Sequence, residues 1–305
     1  MKRKILREVE QLILNNKNYN EVEKYIKENY IFPECMISYR HDIYDAFKDY
    51  HHHDLYEMMY IINGSTTFYI EDKKYELTEG DMVLIAPNVL HKLVKFNSDT
   101  CDRVIINFTH AHANKFTTEN TNLLKVFDLI EQKGMHKISF FPEKRKRLET
   151  VFEIMNKCLL SDDYGEDLRC DIAYLEIMLT INRVYMRLPD EELIQKDILN
   201  PYVTKVIEYI NTNIDKKIQL SDLATHLSLS VSRLSHVFKE VTGISIINYI
   251  IKKRLILAKE LLKSGENIKS VYNKCGFPDE ASFFRYFKKE YNITPKKYAL
   301  NMIEG

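Results

Sequence analysis

Residues 282–298, SFFRYFKKEYNITPKKY, combine clustered aromatic residues with basic residues and end in Asn-Ile-Thr-Pro. A similar run, LSHVFKEVTGISIINY, occupies residues 234–249. The two runs match at five positions each. Phe238, Lys239, Ile244, Ser245 and Tyr249 correspond in order to Phe287, Lys288, Ile293, Thr294 and Tyr298. A repeated short unit of this kind predicts two copies of one structural motif.

The first copy has the pattern of a helix-turn-helix. The segment SDLATHL predicts a first helix with Ser221 as its N-cap, SLS at 228–230 predicts a turn, and VSRLSHVFKEV predicts a second helix. The apolar positions Leu223, Ala224, Leu227, Leu234, Val237 and Phe238 recur at helical spacing. This spacing leaves an outer face of the second helix made of Ser232, Arg233, Ser235, His236 and Lys239.

The second copy repeats the design between residues 267 and 291. Asn267 is predicted to cap IKSVYNKC, Gly276 to permit the turn, and DEASFFRYFKKEY to form the second helix. Its core anchors are Phe277, Phe283 and Phe287. Its outer face consists of Glu280, Ala281, Ser282, Phe284, Arg285 and Lys288. Since one long predicted helix joins the two copies, their outer helices can enter successive major grooves, about 34 Å apart.

The side chains of these outer faces suit DNA. Arg233 and Arg285 can each form two hydrogen bonds with the edge of a guanine, whereas Lys239, Lys288 and Lys289 suit phosphates. The alternative for each is a solvated surface charge. Residues 201–305 contain 17 Lys and Arg against 10 Asp and Glu, while residues 1–200 contain 27 against 34, so the basic excess lies in this third.

These motifs resemble the DNA-binding domain of the AraC/XylS family of bacterial transcription regulators. The resemblance rests on Ala224, Phe238-Lys239, Gly243, Tyr249, Arg254, Ala258, Leu261-Leu262, Gly276-Phe277, Phe283, Arg285, Phe287-Lys288-Lys289, Thr294-Pro295 and Tyr298. It implies a double helix-turn-helix that binds promoter DNA, and an activator that works with RNA polymerase and is dimeric. Two departures are Val271-Tyr272, where the family has Ile-Ala, and Asn292, where it has glycine.

Residues 35–109 alternate apolar and polar residues with period two, which predicts short antiparallel strands of a barrel or sandwich. Turn signals occur at 63–65, 72–74, 79–81 and 87–88. Beyond residue 118 the period becomes helical. One apolar stripe is Leu148, Val151, Phe152, Met155 and Leu159, and another is Leu168, Ile172, Leu175 and Leu179. The two helices are predicted to form a hairpin that covers the barrel, forms a dimer interface, or does both.

A second concentration of polar residues lies in YHHHDLYEMMYIING, residues 50–64. On an extended chain His51, His53 and Glu57 share a face, and His91 returns from a later strand. Three histidines and a carboxylate suit a divalent transition metal, which would permit an oxygenase or isomerase, but they serve equally well to hydrogen-bond a polar organic ligand. Tyr39, Tyr56 and Tyr69 could add flat walls, and His52, of opposite parity, is expected to be exposed.

The spacing of His51, His53, Glu57 and Gly64, followed by Gly80 and His91, resembles the two cupin motifs. A cupin-like barrel is what the AraC family often carries as its sensor. The resemblance implies a small-metabolite or sugar sensor, and we predict an effector pocket of His51, His53, Tyr56, Glu57, Tyr69 and His91 with no metal and no cofactor. The alternative is a metal-dependent cupin enzyme fused to a DNA-binding domain.

Bulk properties are consistent with a soluble cytoplasmic regulator. The chain of 305 residues is 45% hydrophobic and 29% charged, its basic start lacks an apolar signal segment, and no run approaches the roughly 18 apolar residues of a membrane span. Five cysteines without a C-x-x-C pair predict unpaired thiols in a reducing compartment.

The sequence therefore predicts a multidomain α+β protein with a cupin-like β-barrel, a helical hairpin and an all-α double helix-turn-helix domain. Expected boundaries are 1–30 for a helical extension, 31–118 for the sensor, 119–187 for a helical dimerisation region, 188–200 for a linker and 201–305 for the DNA-binding domain. We expect a non-enzymatic, sequence-specific transcription regulator of carbohydrate or small-metabolite genes. Its expected partners are double-stranded promoter DNA, a small polar effector such as a sugar, RNA polymerase and a second copy of the chain, with no membrane.

Overall fold

The computed structural model describes residues 34–42, 50–161, 163–188 and 200–303. The helical extension predicted at 1–30 and most of the linker predicted at 188–200 lie outside these residues. Contacts divide the chain into two compact units, Met1–Asp197 and Ile198–Gly305. Among the helices of the described residues, none combines the length and hydropathy that a bilayer crossing requires.

The first unit is built on one antiparallel sheet. Its strands are β1 (Cys35–Asp42), β2 (Tyr56–Ile70), β3 (Lys73–Thr78), β4 (Asp81–Ile85), β5 (His91–Phe108) and β6 (Lys137–Ser139). Strand order is β1-β5-β2-β4-β6, and β3 pairs with the second half of β2. The N-terminal unit is thus the antiparallel β domain that the period-two pattern predicts.

Two of these strands are longer than the sequence pattern predicts. The turn expected at 63–65 lies inside β2, which pairs with β5 from Tyr56↔Phe108 to Ile70↔His91 and has register shifts after Ile61, Gly64 and Thr67. Gly64 takes up the irregularity at φ +85°. The prediction of a turn was wrong here because the same residue types mark a β-bulge, which bends a strand without ending it.

The two faces of the sheet carry separate cores. One contains Met59, Ile61, Phe68, Ile70, Tyr75, Leu77, Val83, Ile85, Leu93 and Cys101. The other, which includes Met58, Tyr60, Met82, Leu84, Val104 and Ile106, is continuous with helical residues. Because successive side chains of a strand point to opposite faces, β2 contributes to both cores in alternation.

The helices of the first unit are α1 (His110–Asn114), α2 (Lys125–Lys133), α3 (Pro142–Leu160) and α4 (Glu166–Tyr185). The region 119–187 is therefore not purely helical, since β6 lies within it and pairs with β4. In α3 the predicted stripe is partly correct: Leu148, Phe152 and Met155 are buried.

In α4 the predicted stripe is divided between an exposed part and a partly buried part. Leu168 is 64% exposed and Ile172 is 65% exposed, while Leu175 and Leu179 are partly buried. The buried residues are Cys170, Ala173, Tyr174, Ile177, Met178, Ile181, Asn182 and Tyr185. Since α4 carries apolar side chains at helical spacing on two faces, periodicity alone could not select the inward one.

The second unit is all helical in its described residues. Its helices are α5 (Pro201–Thr212), α6 (Leu220–His226), α7 (Val231–Thr242), α8 (Ile246–Lys263), α9 (Ile268–Lys274), α10 (Glu280–Tyr291) and α11 (Pro295–Ile303). Pairs α6–α7 and α9–α10 are the two predicted helix-turn-helix units, and α8 joins them.

The helix starts follow capping chemistry, with one correction. Ser230, Asn267 and Asp279 each accept a backbone N–H of the first turn of α7, α9 and α10. Ser221 was predicted to cap α6, but that helix begins at Leu220 and its cap position is Gln219, which makes no side-chain cap. The apolar Leu220 gave no sign of a helix start, so the nearby serine was misassigned.

The core of the second helix-turn-helix unit accommodates both departures from the family pattern. Phe283 and Phe287 are fully buried together with Val271, whereas Tyr272 is only partly buried and packs against the same core. Asn292 follows α10 at φ +56°, in the left-handed region where the family has glycine. Neither residue disrupts the unit.

Candidate functional site

The second helix of each helix-turn-helix unit presents most of its predicted outer face to solvent. On α7 the exposed residues are Ser232, Arg233, His236 and Lys239, and Ser235 is half-buried. His236 Nδ1 lies 3.6 Å from Glu240 Oε2, and both side chains are 68% exposed. Glu240 lies one helical turn beyond His236. The rest of this face carries hydrogen-bond donors and positive charge, which suit the major groove of DNA.

On α10 the predicted face divides into two parts. Glu280, Ala281, Arg285 and Lys288 are exposed, whereas Ser282 and Phe284 are half-buried. The Ser282 hydroxyl donates to Asp279 Oδ2 at 2.9 Å, and its backbone N–H donates to Asp279 Oδ1 at 2.7 Å. Ser282 therefore already serves the helix cap.

The guanidinium of Arg285 lies over the ring of Tyr286 at 4.9 Å from its centroid. Hydrogen bonds from the backbone and side chain of Ser282, and to a smaller extent the charge of Arg285, lower the pKa of Asp279. A half-buried aromatic ring thus supports the arginine from one side while its donors remain at the surface.

Arg254, part of the family pattern, has a different place. It is buried on α8, and its Nε donates to the Ile214 carbonyl at 3.0 Å while its Nη2 donates to the Lys216 carbonyl at 2.6 Å. Burial lowers the pKa of Arg254. This arginine fastens the loop between α5 and α6 and does not belong to the DNA-facing surface.

In the first unit the histidine segment and the start of β5 are joined by backbone hydrogen bonds. The N–H of His51 donates to the His91 carbonyl and the N–H of His91 to the His51 carbonyl, both at 3.0 Å. The N–H of Asn88 donates to the His53 carbonyl at 2.8 Å. These bonds bring the predicted residues together although they are some 40 positions apart in sequence.

The side chains of His53, Glu57 and His91 form a compact cluster. His53 Nε2 lies 2.9 Å from Glu57 Oε2, and one ligand atom from each of the three residues lies within 4.8 Å of the others. The His51 ring centroid is 4.2 Å from that of His91 and 6.3 Å from that of His53. The structure thus places His51 beside the cluster.

Burial, hydrogen bonding and neighbouring charges together set the protonation of this cluster. Although burial raises it, a hydrogen bond with His53 and the nearby charges of His53, His91 and Arg103 bring the pKa of Glu57 below its usual value. Burial holds the pKa of His91 well below its ordinary range. The cluster therefore contains an ionised carboxylate and a neutral imidazole near neutral pH.

The tyrosines predicted for this pocket lie elsewhere. Tyr56 stacks on Phe108 at 5.2 Å and contacts Phe127, so it faces the helical layer. Tyr69 lies on the other face of β2 from Phe68, near Lys92. The period-two rule that groups His51, His53 and Glu57 excludes Tyr56 from their face, and the prediction did not apply it to the tyrosine.

Tyr39 likewise packs against the core shared with the helices. His52, expected to be exposed, is half-buried.

Sequence reasoning missed Arg103 and Asn107. Arg103 pairs in register with Ile61 and Asn107 with Glu57, and both are buried. A signal was available in the sequence, since the otherwise apolar run RVIINF contains a charged residue and an amide residue. Arg103 and Asn107 lie four residues apart, so their side chains point to the same face of β5, the face that Glu57 shares on β2. The surroundings of the cluster are therefore more polar than the histidines alone indicate.

Both units match known families. Residues 34–126 match the AraC-like ligand binding domain, and residues 223–301 match a helix-turn-helix domain. The probable transcriptional regulator LumQ of Photobacterium leiognathi is 26% identical over 268 residues, which cover 86% of this chain and 96% of LumQ. The HTH-type transcriptional activator RhaR of Mannheimia succiniciproducens is 22% identical over 257 residues, covering 83% of this chain and 88% of RhaR.

Among solved structures, the C-terminal domain of the response regulator yesN from Fusobacterium nucleatum is 34% identical. It covers 31% of this chain and 93% of its own length, with a TM-score of 0.30, which is too low to count as a match of overall fold. The similarity across the whole chain is therefore to LumQ and RhaR, since each of these regulators aligns with more than 80% of it.

Proposed function

This chain belongs to the AraC family of DNA-binding transcription regulators, and we propose that it activates promoters in response to a small polar effector bound in its β domain. The proposed DNA-binding surface rests on one observation: the second helices of the two units, α7 and α10, are exposed and are joined by α8. With 18 residues, α8 is about 27 Å long and serves as a rigid connector.

Within this surface we assign different tasks to the basic residues. Arg233 and Arg285 read guanine edges, because a guanidinium can donate two hydrogen bonds in the plane of O6 and N7. Lys239 and Lys288 hold phosphates, which contributes affinity without sequence preference. The half-buried Ser282 and Phe284 maintain the shape of α10 while their neighbours make the contacts.

The test uses fluorescence anisotropy with the full chain, a selected specific duplex and a random duplex of equal length. Arg285→Ala should weaken binding to the specific duplex by about 1–3 kcal/mol and leave random binding nearly unchanged. Lys288→Ala should weaken both equally and reduce the salt slope by about one. Equal loss on both duplexes for Arg285→Ala would remove its base-reading role.

For the effector we propose a small hydroxyl-rich metabolite such as a sugar. Support comes from a set of polar groups that offers both donors and acceptors: the buried Glu57, His91, Arg103 and Asn107 and the half-buried His53. His51 borders this set, whereas Tyr56 and Tyr69 are no longer part of the proposed pocket.

A thermal-shift screen of polar metabolites tests this assignment. A ligand that raises the Tm of wild type, with the rise abolished in Glu57→Gln, supports it. Stabilisation that survives in Glu57→Gln would place the effector elsewhere. Relatives that are regulators, and not enzymes, support a ligand that is sensed without being converted.

We also infer a homodimer formed through the outer face of α4. Leu168 and Ile172 are both more than 60% exposed and Tyr164 is fully exposed, so a second copy of this chain would bury an apolar stripe. In analytical ultracentrifugation the wild type should sediment as a dimer and Ile172→Glu as a monomer. A monomeric wild type would refute this interface.

Effector binding can influence promoter occupancy only if the effector has different affinities for two states of the protein. Those states would differ in how the sensor presents the two DNA-binding units to the promoter and to RNA polymerase. A cytoplasmic location follows from this assignment. Regulated promoters identified by chromatin immunoprecipitation, with and without the effector, test the activator assignment directly.

A further inference from the structure

Helix α10, the second helix of its helix-turn-helix unit, has no short covalent connection to α8. Helix α9 and the connections on either side of it separate the end of α8 at Lys263 from the start of α10 at Glu280. In contrast, only residues 243–245 join the end of α7 to the start of α8. The orientation of α7 on α8 is therefore restricted by the chain itself, whereas that of α10 depends on side-chain contacts.

The middle of α10 is attached to α8 by apolar contacts. Phe283 and Phe287 are fully buried and belong to the same core cluster as Leu255 and Ala258 of α8. Because apolar burial is non-directional, this core holds α10 against α8 without alone fixing the direction of the helix axis.

The end of α10 is joined to α8 by an ion pair. Lys252 Nζ, in the first half of α8, donates to Glu290 Oε1, in the last turn of α10, at 2.6 Å. The two side chains are 22% and 28% exposed, so solvent screens the pair only in part. A short charge-assisted hydrogen bond constrains direction as well as distance. The pair therefore fixes the end of α10 relative to α8.

A second lysine on the same face of α8 holds the next residue of α10. Lys259 follows Lys252 after seven residues, about two helical turns. It is 4% exposed, and its Nζ lies 4.6 Å from the ring centroid of Tyr291 and 5.7 Å from that of Tyr298 on α11. Since a desolvated ammonium is attracted to an aromatic face, Lys259 holds Tyr291 against α8. Two lysines of the connector thus fasten the consecutive residues Glu290 and Tyr291.

We propose that Lys252 and Lys259 are positioning residues, which set the direction of α10 on α8 and thereby the separation of the two operator half-sites that this chain accepts. This role rests on the proposed function, in which α7 and α10 both read DNA. The 12 residues of α10 span about 18 Å. A tilt of about 11° about one end moves the other end by about 3.4 Å, which is one base pair along the duplex. Loss of either contact therefore lets α10 meet half-sites at neighbouring spacings.

The experiment measures the affinity of the full chain for a series of duplexes by fluorescence anisotropy. The series derives from the specific duplex, in which footprinting locates the half-sites, by insertion or deletion of one or two base pairs between them. Wild type should bind the original spacing at least about 10-fold more tightly than its neighbours, because a displaced helix loses base contacts. In Lys252→Met and in Glu290→Gln this preference should fall below about 3-fold, because a tilted α10 regains part of those contacts.

The two variants separate positioning from a direct effect of charge on DNA. Lys252→Met removes a positive charge and Glu290→Gln removes a negative one, so a direct electrostatic effect would change their affinities in opposite directions. A lost ion pair instead flattens both spacing profiles alike. Lys252→Arg retains the pair and should keep the wild-type profile. Lys263→Met, which removes an exposed cation from the same helix, is the matched control and should also keep it.

The contact of Lys259 with Tyr291 is tested in the same series. Lys259→Met and Tyr291→Leu should flatten the spacing profile, whereas Tyr291→Phe retains the ring and should match wild type. Circular dichroism establishes that each variant is folded. If Lys259→Met does not fold, Glu290→Gln, a nearly isosteric change at a partly exposed position, keeps the test decisive.

The outcomes distinguish this role from the proposed function. Profiles of Lys252→Met and Glu290→Gln that are as sharp as that of wild type, or affinities weakened by one factor at every spacing, overturn the positioning role alone. A sharp profile in both Lys259→Met and Tyr291→Leu removes Lys259 from it. A wild-type chain that prefers no duplex over a random one refutes the proposed function, and the positioning role with it.

Discussion

Removal of the Arg254 guanidinium should destabilise the C-terminal unit without touching a DNA-facing residue. In Arg254→Met the side-chain stem is largely preserved, but the hydrogen bonds to the carbonyls of Ile214 and Lys216 are lost. Hydrogen bonds from a charged donor contribute about 1.5–3 kcal/mol each. The two bonds together contribute roughly 3–6 kcal/mol, from which the cost of burying the charge must be subtracted.

We therefore expect a net loss of about 2–4 kcal/mol in the free energy of unfolding. For a unit of this size the loss corresponds to a decrease in Tm of roughly 10–20 °C. Urea unfolding followed by circular dichroism at the helical band measures it, because the described part of this unit is entirely helical. An unchanged urea dependence would show that the loss lies in stability and not in compactness.

Two comparisons sharpen the result. Lys263→Met changes an exposed cation on the same helix and should alter stability by less than about 0.5 kcal/mol. Arg254→Lys keeps the charge but cannot reach both carbonyls in one plane, so it should lie between Met and wild type. If Arg254→Met unfolds at the urea concentration of wild type, the two carbonyl contacts contribute nothing and the clamp is refuted.

Three further changes test other parts of the structure. Gly276 and Gly265 both have positive φ, but only at Gly276 would an added Cβ lie 2.7 Å from a backbone carbonyl oxygen. In the same urea assay Gly265→Ala should therefore destabilise by roughly 1 kcal/mol and Gly276→Ala by at least twice as much. Equal losses for the two variants would contradict this. Burial lowers the pKa of His136 from 6.5 to about 4. Its neutral form therefore contributes up to about 3 kcal/mol of stability, which is lost as the pH falls from about 6.5 to 4. In a series of unfolding curves over this pH range, His136→Asn should reduce the slope of stability against pH, and an unchanged slope would refute the role of His136. Asn182→Leu removes two buried hydrogen bonds that join α4 to the segment at the start of α2, with Val126 and Leu123, and a third within α4, to the Met178 carbonyl. Calorimetry should record a loss of about 2–4 kcal/mol in the first unit, whereas a loss below about 1 kcal/mol would mean that the segment is held by other contacts.

The C-terminal unit was predictable because its signals are local. Helix periodicity, glycine at 276 and asparagine at 267 each act over a few residues, and repetition of the motif made the assignment redundant. The start of α6 was the exception. Leu220 opens that helix without a side-chain cap, and Ser221 one residue later has the side chain that capping usually requires.

The first unit was predictable in class but not in detail. Asn63-Gly64-Ser65 has the composition of a turn, and only pairing with the distant β5 makes it a bulge. The inward face of α4 likewise depends on the sheet that it covers. The grouping of His53 with His91 followed from motif spacing, whereas the contribution of Arg103 depends on strand register, which local sequence does not contain.

Strand β2 touches two environments through consecutive residues. Glu57 belongs to the polar cluster. On the opposite face Tyr56 packs against Phe127 of α2, and Tyr60, four residues further along the strand, donates its hydroxyl hydrogen to Glu149 of α3 at 2.9 Å. Any displacement of this strand by an occupant on one side must be transmitted to the helices on the other, since neighbouring side chains share one backbone. The sheet therefore links the polar cluster on one of its faces to helices α2 and α3 on the other.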